Sequence, residues 1–260
     1  LFFLNAAGGT GKTFLLNTLL SRVRVDGEVA LAVASSGIAA LLLRNGRTAH
    51  SRFRIPLDIN ENSTCGIKAQ DETAQLIRRS SLIVWDEAVM TSKYVFHCVD
   101  KSLRFIMNSS EPFGGKVIVF GGDFRQILPV VPMGGREDII DACFKRSYLW
   151  PNVYNLFLTE NLRVDREDEF SVVFTNFLNR VGNGQNNLAN SIRIPAMLIS
   201  ESRNIEDFIR EIYIDLEGNM DQNQSTAILA PKNESVNLIN ETVLRLFRED
   251  EEITTYLSED

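Results

Sequence analysis

The sequence predicts an α/β fold, a mostly parallel sheet with helices on both faces. Three observations carry that expectation. Short apolar runs recur at 1–4, 28–35, 82–87, 116–120 and 154–159, each the length of a buried strand and too short for an independent helix. Stretches with helical spacing or many small residues lie between them, and parallel strands need such crossovers. The first run leads into Gly8-Gly9-Thr10-Gly11-Lys12-Thr13 and then Phe14-Leu15-Leu16-Asn17-Thr18-Leu19-Leu20, which reads as strand, glycine-rich turn and helix.

That turn has the layout a phosphate needs. Backbone N–H groups of a glycine-rich loop converge with an open helix N-terminus, where the macrodipole favours negative charge. Gly8, Gly9, Thr10 and Gly11 would cradle the anion, Lys12 would reach β- and γ-phosphates, and the Thr13 hydroxyl would ligate Mg²⁺. The pattern G-x-x-x-x-G-K-[ST] places its first glycine where this chain has Ala6. If that position requires positive φ or close backbone approach, alanine costs on the order of 1 kcal/mol.

The second strand, 28–35, feeds a compact helix at 36–43 whose small residues let it sit close to the sheet. Residues 47–53 read as a polar loop and 58–71 as a surface excursion. The third strand, within 80–90, ends in Asp86-Glu87. Helical spacing over 91–107 marks Tyr94, Val95, Val99, Leu103 and Ile106 as buried positions. The fourth strand, 116–120, runs into Gly121-Gly122-Asp123-Phe124-Arg125-Gln126. A helix and a fifth strand at 154–159 complete this alternation. Polar, glycine-rich residues at 181–187 suggest a boundary, giving a first domain over 1–182 and a linker with an incomplete second domain over 183–260. In the latter a helix is expected around 204–216, a strand at 227–230 and an amphipathic helix at 234–247.

Ligands in open parallel sheets bind at the carboxyl ends of the strands. Asp86 is therefore expected to hold Mg²⁺ through its water shell, and Glu87 to accept a proton from attacking water. Gln126 would touch the γ-phosphate or orient that water, and Arg163 would stabilise charge on the transferring phosphoryl group. The competing readings are an Asp-Glu pair that caps a helix and an ordinary surface arginine.

No apolar run approaches the roughly 18–20 residues of a membrane span, so no membrane partner is expected. The cysteines Cys65, Cys98 and Cys143 are odd in number and far apart in the chain, with only two histidines beside them. This argues against a disulfide framework or zinc site and for a reducing compartment. The net charge of −7 is concentrated at the end. Six acidic and no basic residues occupy 249–260, leaving the rest at −1. Charge therefore neither supports nor excludes a nucleic-acid partner.

Five blocks together resemble the petite-integration-frequency (Pif) family of ATP-dependent DNA helicases, including forms found in Helitron-type mobile elements. They are the phosphate loop; Ala34-Ser35-Ser36-Gly37-Ile38-Ala39-Ala40 with Gly46-Arg47-Thr48-Ala49-His50-Ser51; the Asp86-Glu87 strand with Asp100-Lys101-Ser102-Leu103-Arg104; residues 121–130; and Ile228-Leu229-Ala230-Pro231-Lys232-Asn233 running to Ile239-Asn240. The resemblance implies a RecA-like P-loop NTPase domain followed by the start of a second RecA-like domain. It implies a superfamily 1 helicase that uses Mg²⁺ and ATP to move 5′ to 3′ on single-stranded DNA and to unwind 5′-tailed duplex. Repair, recombination and telomere maintenance are the implied settings, with a nuclear location, or a mitochondrial one, expected. Thr48, His50 and Ser51 would lie along the DNA path, and Phe53 could stack on a base.

The resemblance is incomplete. The family's later DNA-contacting and arginine-bearing motifs, and its adenine-reading glutamine segment, do not occur here. The chain is thus expected to be a fragment or truncated copy that begins inside its first strand. Two alternatives stand beside the helicase reading. One is a remnant that binds nucleotide or DNA without turnover; the other is a phosphate-loop ATPase acting on protein or small molecules.

Overall fold

The computed structural model describes residues 1–165, 167–185, 187–188, 191–213 and 226–247. The chain divides into two compact units, Leu1–Asn186 and Asn187–Asp260. In the first, six strands form one sheet: β1 (Phe2–Ala6), β2 (Val29–Ala34), β3 (Arg47–Thr48), β4 (Ser80–Asp86), β5 (Ile118–Gly122) and β6 (Tyr154–Leu158). Their spatial order is β3-β2-β4-β5-β1-β6, and every pairing is parallel. The expected mostly parallel α/β sheet is what forms. All carboxyl ends therefore lie along one edge, with β5 between the phosphate-loop strand and the Asp-Glu strand.

Side chains alternate across a strand, and here the alternation sorts residues by size. Phe3, Leu31, Val33, Ile83, Trp85 and Phe120 face one core, which also takes Phe53, Phe96, Phe113 and Phe144. Leu4, Ala30, Ala32, Ala34, Leu82 and Val84 face the other. The alanines of β2 let α2 (Gly37–Leu42) approach closely, with Ala39 and Ala40 buried beneath it. Leu16 and Leu20 of α1 (Lys12–Val25) complete that face.

On the aromatic face lie α3 (Ala49–Phe53), α4 (Glu72–Arg79) and α5 (Lys93–Met107). Ser92 caps α5 by accepting from the Tyr94 backbone N–H. Val95, Val99, Leu103 and Ile106 are buried as expected, while Tyr94 is only half-buried. Asp100, buried at mid-helix, accepts from the Phe113 backbone N–H at 2.6 Å and from the Tyr148 hydroxyl at 2.7 Å, and pairs with Arg104. It joins α5 to two loops. The excursion at 58–71 also docks on α5, where the Cys65 N–H donates to Ser102 Oγ at 2.8 Å. Cys65 and Cys98, far apart in the chain, therefore meet in the fold with Sγ atoms 3.7 Å apart.

Two further helices complete the first unit, α6 (Arg136–Ala142) and α7 (Glu169–Gly182). The second unit contains a two-residue hairpin, β7 (Asn187–Leu188) with β8 (Ser191–Ile192), then α8 (Ile205–Ile212) and α9 (Asn233–Phe247). Arg245 of α9 pairs with Glu206 of α8. The strand expected at 227–230 does not form; those residues are irregular. Leu229 is almost fully exposed, and among the described residues no ladder supplies backbone partners there, without which an apolar run does not become a strand. The expected helix at 204–216 begins as read, with Asn204 accepting from the Asp207 N–H, and its last residues lie outside the described ones. Among the described residues, no helix is long and apolar enough to cross a membrane.

Candidate active site

The phosphate loop closes between β1 and α1. The Thr10 backbone N–H and hydroxyl both donate to the Ala7 carbonyl, at 3.3 and 2.8 Å. Gly9 and Gly11 both have φ of +83°, a conformation glycine adopts without the Cβ penalty. Gly11 precedes α1 and no side chain caps that helix, which leaves its first N–H groups available to an anion. Ala6 carries none of the strain a glycine would be needed to relieve. It is the buried last residue of β1, paired with Leu158, and is absent from the residues of positive φ.

Beneath the loop, one ammonium meets two carboxylates. Lys12 Nζ donates to Asp86 Oδ1 and, at 2.7 Å, to Glu87 Oε1. Asp86 is buried, and its Oδ1 also accepts the Glu87 backbone N–H at 2.8 Å. Glu87 sits at φ 52°, ψ 37°, a left-handed conformation that costs a non-glycine residue of order 1–3 kcal/mol. Its Oε2 is buried without a hydrogen-bond partner. The cluster combines one ammonium with two carboxylates, a left-handed backbone at Glu87 and an orphaned acceptor. The Thr13 hydroxyl and Asp86 carboxylate are hard oxygen donors of the kind Mg²⁺ takes, one or two from protein and the rest from phosphate and water.

Close packing fixes this cluster from behind. A Cβ on Gly121 would lie 2.8 Å from Asp86 Oδ1 and 3.2 Å from Leu16 Cδ1. The Ser35 N–H donates to the Asp86 carbonyl at 3.1 Å, while Trp85 Nε1 and the Thr91 hydroxyl donate to Ser35 Oγ at 3.2 and 2.6 Å.

Gln126 and Arg163 line the same cavity of about 490 Å³ as Lys12, Asp86 and Glu87. Its walls are polar at the phosphate loop and apolar where Phe14, Ala39, Leu42 and Leu162 enter. Gln126 is placed by β5, which lies beside β4, and Arg163 by the segment that follows β6. That segment also grips the loop. The Leu162 N–H donates to the Gly9 carbonyl at 2.9 Å, and Asn161 Nδ2 to the Gly8 carbonyl at 3.3 Å. A Cβ on Gly9 would come within 2.5 Å of Asn161 Oδ1. Asn161, Leu162 and Gly121 escape sequence reasoning because only the parallel pairing of β6 and β5 with β1 brings them here.

The polar stretch at 47–53 is not the loop expected. Arg47 and Thr48 form β3, and Thr48 Oγ1 caps α3 by accepting the Ser51 N–H at 3.3 Å. Thr48 pairs with Ala34, which pairs with Asp86, so the three share one row at the strand ends. His50 is half-buried, and burial lowers its pKa, leaving a neutral imidazole at pH 7. Ser51 is exposed. Phe53 is different. It is fully buried, 5.7 Å from the Trp85 ring, because α3 turns its last side chain into the aromatic core. It cannot stack on a base from there. Phe53→Ala is expected to destabilise the first unit by about 3–5 kcal/mol, read as a lower urea midpoint, with no selective loss of DNA affinity in the protein that remains folded.

Comparison with known proteins agrees with this geometry. The family model for PIF1-like helicases matches residues 1–192. The ATP-dependent DNA helicase Pif1 of Psychrobacter sp. (strain PRwf-1) is 26% identical over 191 residues, 72% of this chain and 29% of that protein. The ATP-dependent DNA helicase RRM3 of Saccharomyces cerevisiae is 24% identical over 214 residues, 81% of this chain and 27% of that protein. Among solved structures, Bacteroides Pif1 bound to ssDNA superposes with a TM-score of 0.61 at 26% identity, covering 81% of this chain and 46% of that one. Bacteroides Pif1 in complex with ADP-AlF3 and ssDNA gives 0.67 at 24%, covering 97% and 54%. The chain thus spans about a third or less of these curated relatives and about half of the structures. On the match over residues 1–192 and the site they build, the chain belongs to the PIF1-like helicase family.

Proposed function

We propose that this chain carries the ATP-hydrolysing motor domain of a DNA helicase that moves 5′ to 3′ along single-stranded DNA and unwinds 5′-tailed duplex. The observation that carries the reading is the Lys12–Asp86–Glu87 cluster at the foot of the phosphate loop. On nucleotide entry, Lys12 exchanges its two carboxylates for the β- and γ-phosphates. That exchange frees Glu87, whose Oε2 already lacks a partner, to take a proton from attacking water. Mg²⁺ held by Thr13 and Asp86 would screen the charge of the triphosphate. Gln126 orients the water, and Arg163 stabilises charge on the phosphoryl oxygens.

Thr48, neutral His50 and Ser51 are proposed to donate hydrogen bonds to DNA phosphates. The row Thr48–Ala34–Asp86 gives such contacts a two-strand path to the hydrolytic site. Work in repair, recombination and telomere maintenance, in the nucleus or in mitochondria, forms part of the proposal and rests on the family. So does the reading of 183–260 as the beginning of a second motor domain.

The test is the ATPase rate of the chain with and without single-stranded DNA. DNA-stimulated turnover supports the proposal for this polypeptide. Binding without turnover assigns the chemistry to the longer protein. Turnover indifferent to DNA in a longer form favours an ATPase acting on protein or small molecules. A finer probe is Gly121→Ala, whose methyl must displace the Asp86 carboxylate. Steady-state turnover is expected to fall roughly 10-fold, less than the 10²-fold that a full 1 Å misplacement can bring.

A further inference from the structure

The contact between Cys65 and Cys98 has no part in nucleotide chemistry, and neither residue lines the nucleotide cavity. Both are free thiols in a buried site, with Sγ atoms 3.7 Å apart. They belong to different elements. Cys98 is in the middle of α5, whereas Cys65 lies midway along the surface excursion at 58–71. Cys65 and Ile67 seat that excursion in the aromatic-face core, and polar contacts tie it at a few further points. The Cys65 N–H donates to Ser102 Oγ, the Gly66 N–H donates to the Arg54 carbonyl at 2.9 Å, and Arg54 pairs with Asp71 at 2.6 Å. Lys101 of α5 also donates to the Glu61 carbonyl.

We propose that Cys65 and Cys98 are a reversible oxidation site, which hydrogen peroxide converts from a contacting dithiol into a disulfide that fastens the 58–71 excursion to α5. The two thiols are unequal. The hydrogen bond shared with Cys65 and the charge of Lys101, one turn further along α5, lower the Cys98 pKa. The same hydrogen bond and burial raise that of Cys65. The positive charge of Lys101 favours the thiolate at Cys98, making it the nucleophile and Cys65 the resolving thiol.

When the excursion opens, the Cys98 thiolate attacks the peroxide O–O bond, forming Cys98–SOH; the departing oxygen leaves as water after protonation. On reclosure, the Cys65 sulfur displaces the hydroxyl of the sulfenic acid. The S–S bond forms and a second water departs with the Cys65 proton. Two thiols lose two electrons and two protons to one peroxide. A thiol reductant reverses the change. The excursion adjoins Arg54, the C-cap of α3, so oxidation also restrains the segment that follows Thr48, His50 and Ser51.

The experiment treats the folded 260-residue chain with hydrogen peroxide and maps its thiols by non-reducing peptide mass spectrometry. The expected product is a Cys65–Cys98 linked peptide, about 2 Da lighter than the two reduced peptides together, lost on adding dithiothreitol. The linked protein should melt roughly 5 °C or more higher, because a cross-link restricts the unfolded chain. Cys65→Ser should lose both the link and the shift. Retention of both thiols while Cys143 oxidises overturns the proposal, as do separate sulfinic acids at Cys65 and Cys98 or links between chains only.

Discussion

Glu87→Gln is expected to lower ATP turnover by roughly 10²–10⁴-fold, the range for loss of a positioned general base, while nucleotide affinity stays within a few-fold. The two effects separate because Glu87 has two distinct oxygens. Oε1 is held by Lys12, and an amide oxygen can keep that bond; Oε2 is the buried acceptor without a partner. The amide removes the basicity and keeps the shape. Single-turnover hydrolysis and equilibrium binding of a fluorescent ATP analogue, measured on the same preparation, check both parts. Near-normal turnover would remove Glu87 from the chemistry. Weakened binding at normal turnover would make it a ligand-holding group.

Lys12→Ala should act on both quantities. Turnover is expected to fall by roughly 10²–10³-fold, the effect of removing one preorganised electrostatic contact to the transition state, and ATP should bind more weakly. The variant also strips Asp86 of its ammonium partner in a buried site. A buried carboxylate left without its partner costs stability, so the variant should melt below the parent. Thermal melting of both proteins reads this directly. Unchanged nucleotide affinity and turnover would dismiss the site.

The sheet and the phosphate loop were legible because their signals are local. A strand buried on both faces must be a short apolar run, and a phosphate loop must be glycine-rich between a strand and a helix. Asp86 and Glu87 were legible for the same reason, as carboxylates at the end of such a run. What was not legible depends on distant partners. At 47–53, Arg-Thr-Ala-His-Ser-Arg-Phe has the composition of a loop, yet Thr48 caps a short helix and Phe53 fills space beside Trp85. Neither fact is encoded within those seven residues. Conversely, 227–230 has the composition of a strand but, among the described residues, no ladder to join. Asn161 and Leu162 grip the phosphate loop only because β6 pairs with β1. The meeting of Cys65 with Cys98 depends on how the excursion at 58–71 folds back on α5, which no spacing rule anticipates.

The position occupied by Ala6 bears on how such chains are found. A search pattern that insists on glycine there would reject this chain, although the backbone it tests is an ordinary strand end and the torsional demands fall on Gly9 and Gly11. What the site asks of residue 6 is small volume beneath a packed sheet. A pattern written in terms of side-chain size at that position, and of glycine only where φ is positive, would keep chains like this one and still exclude those whose loops cannot turn.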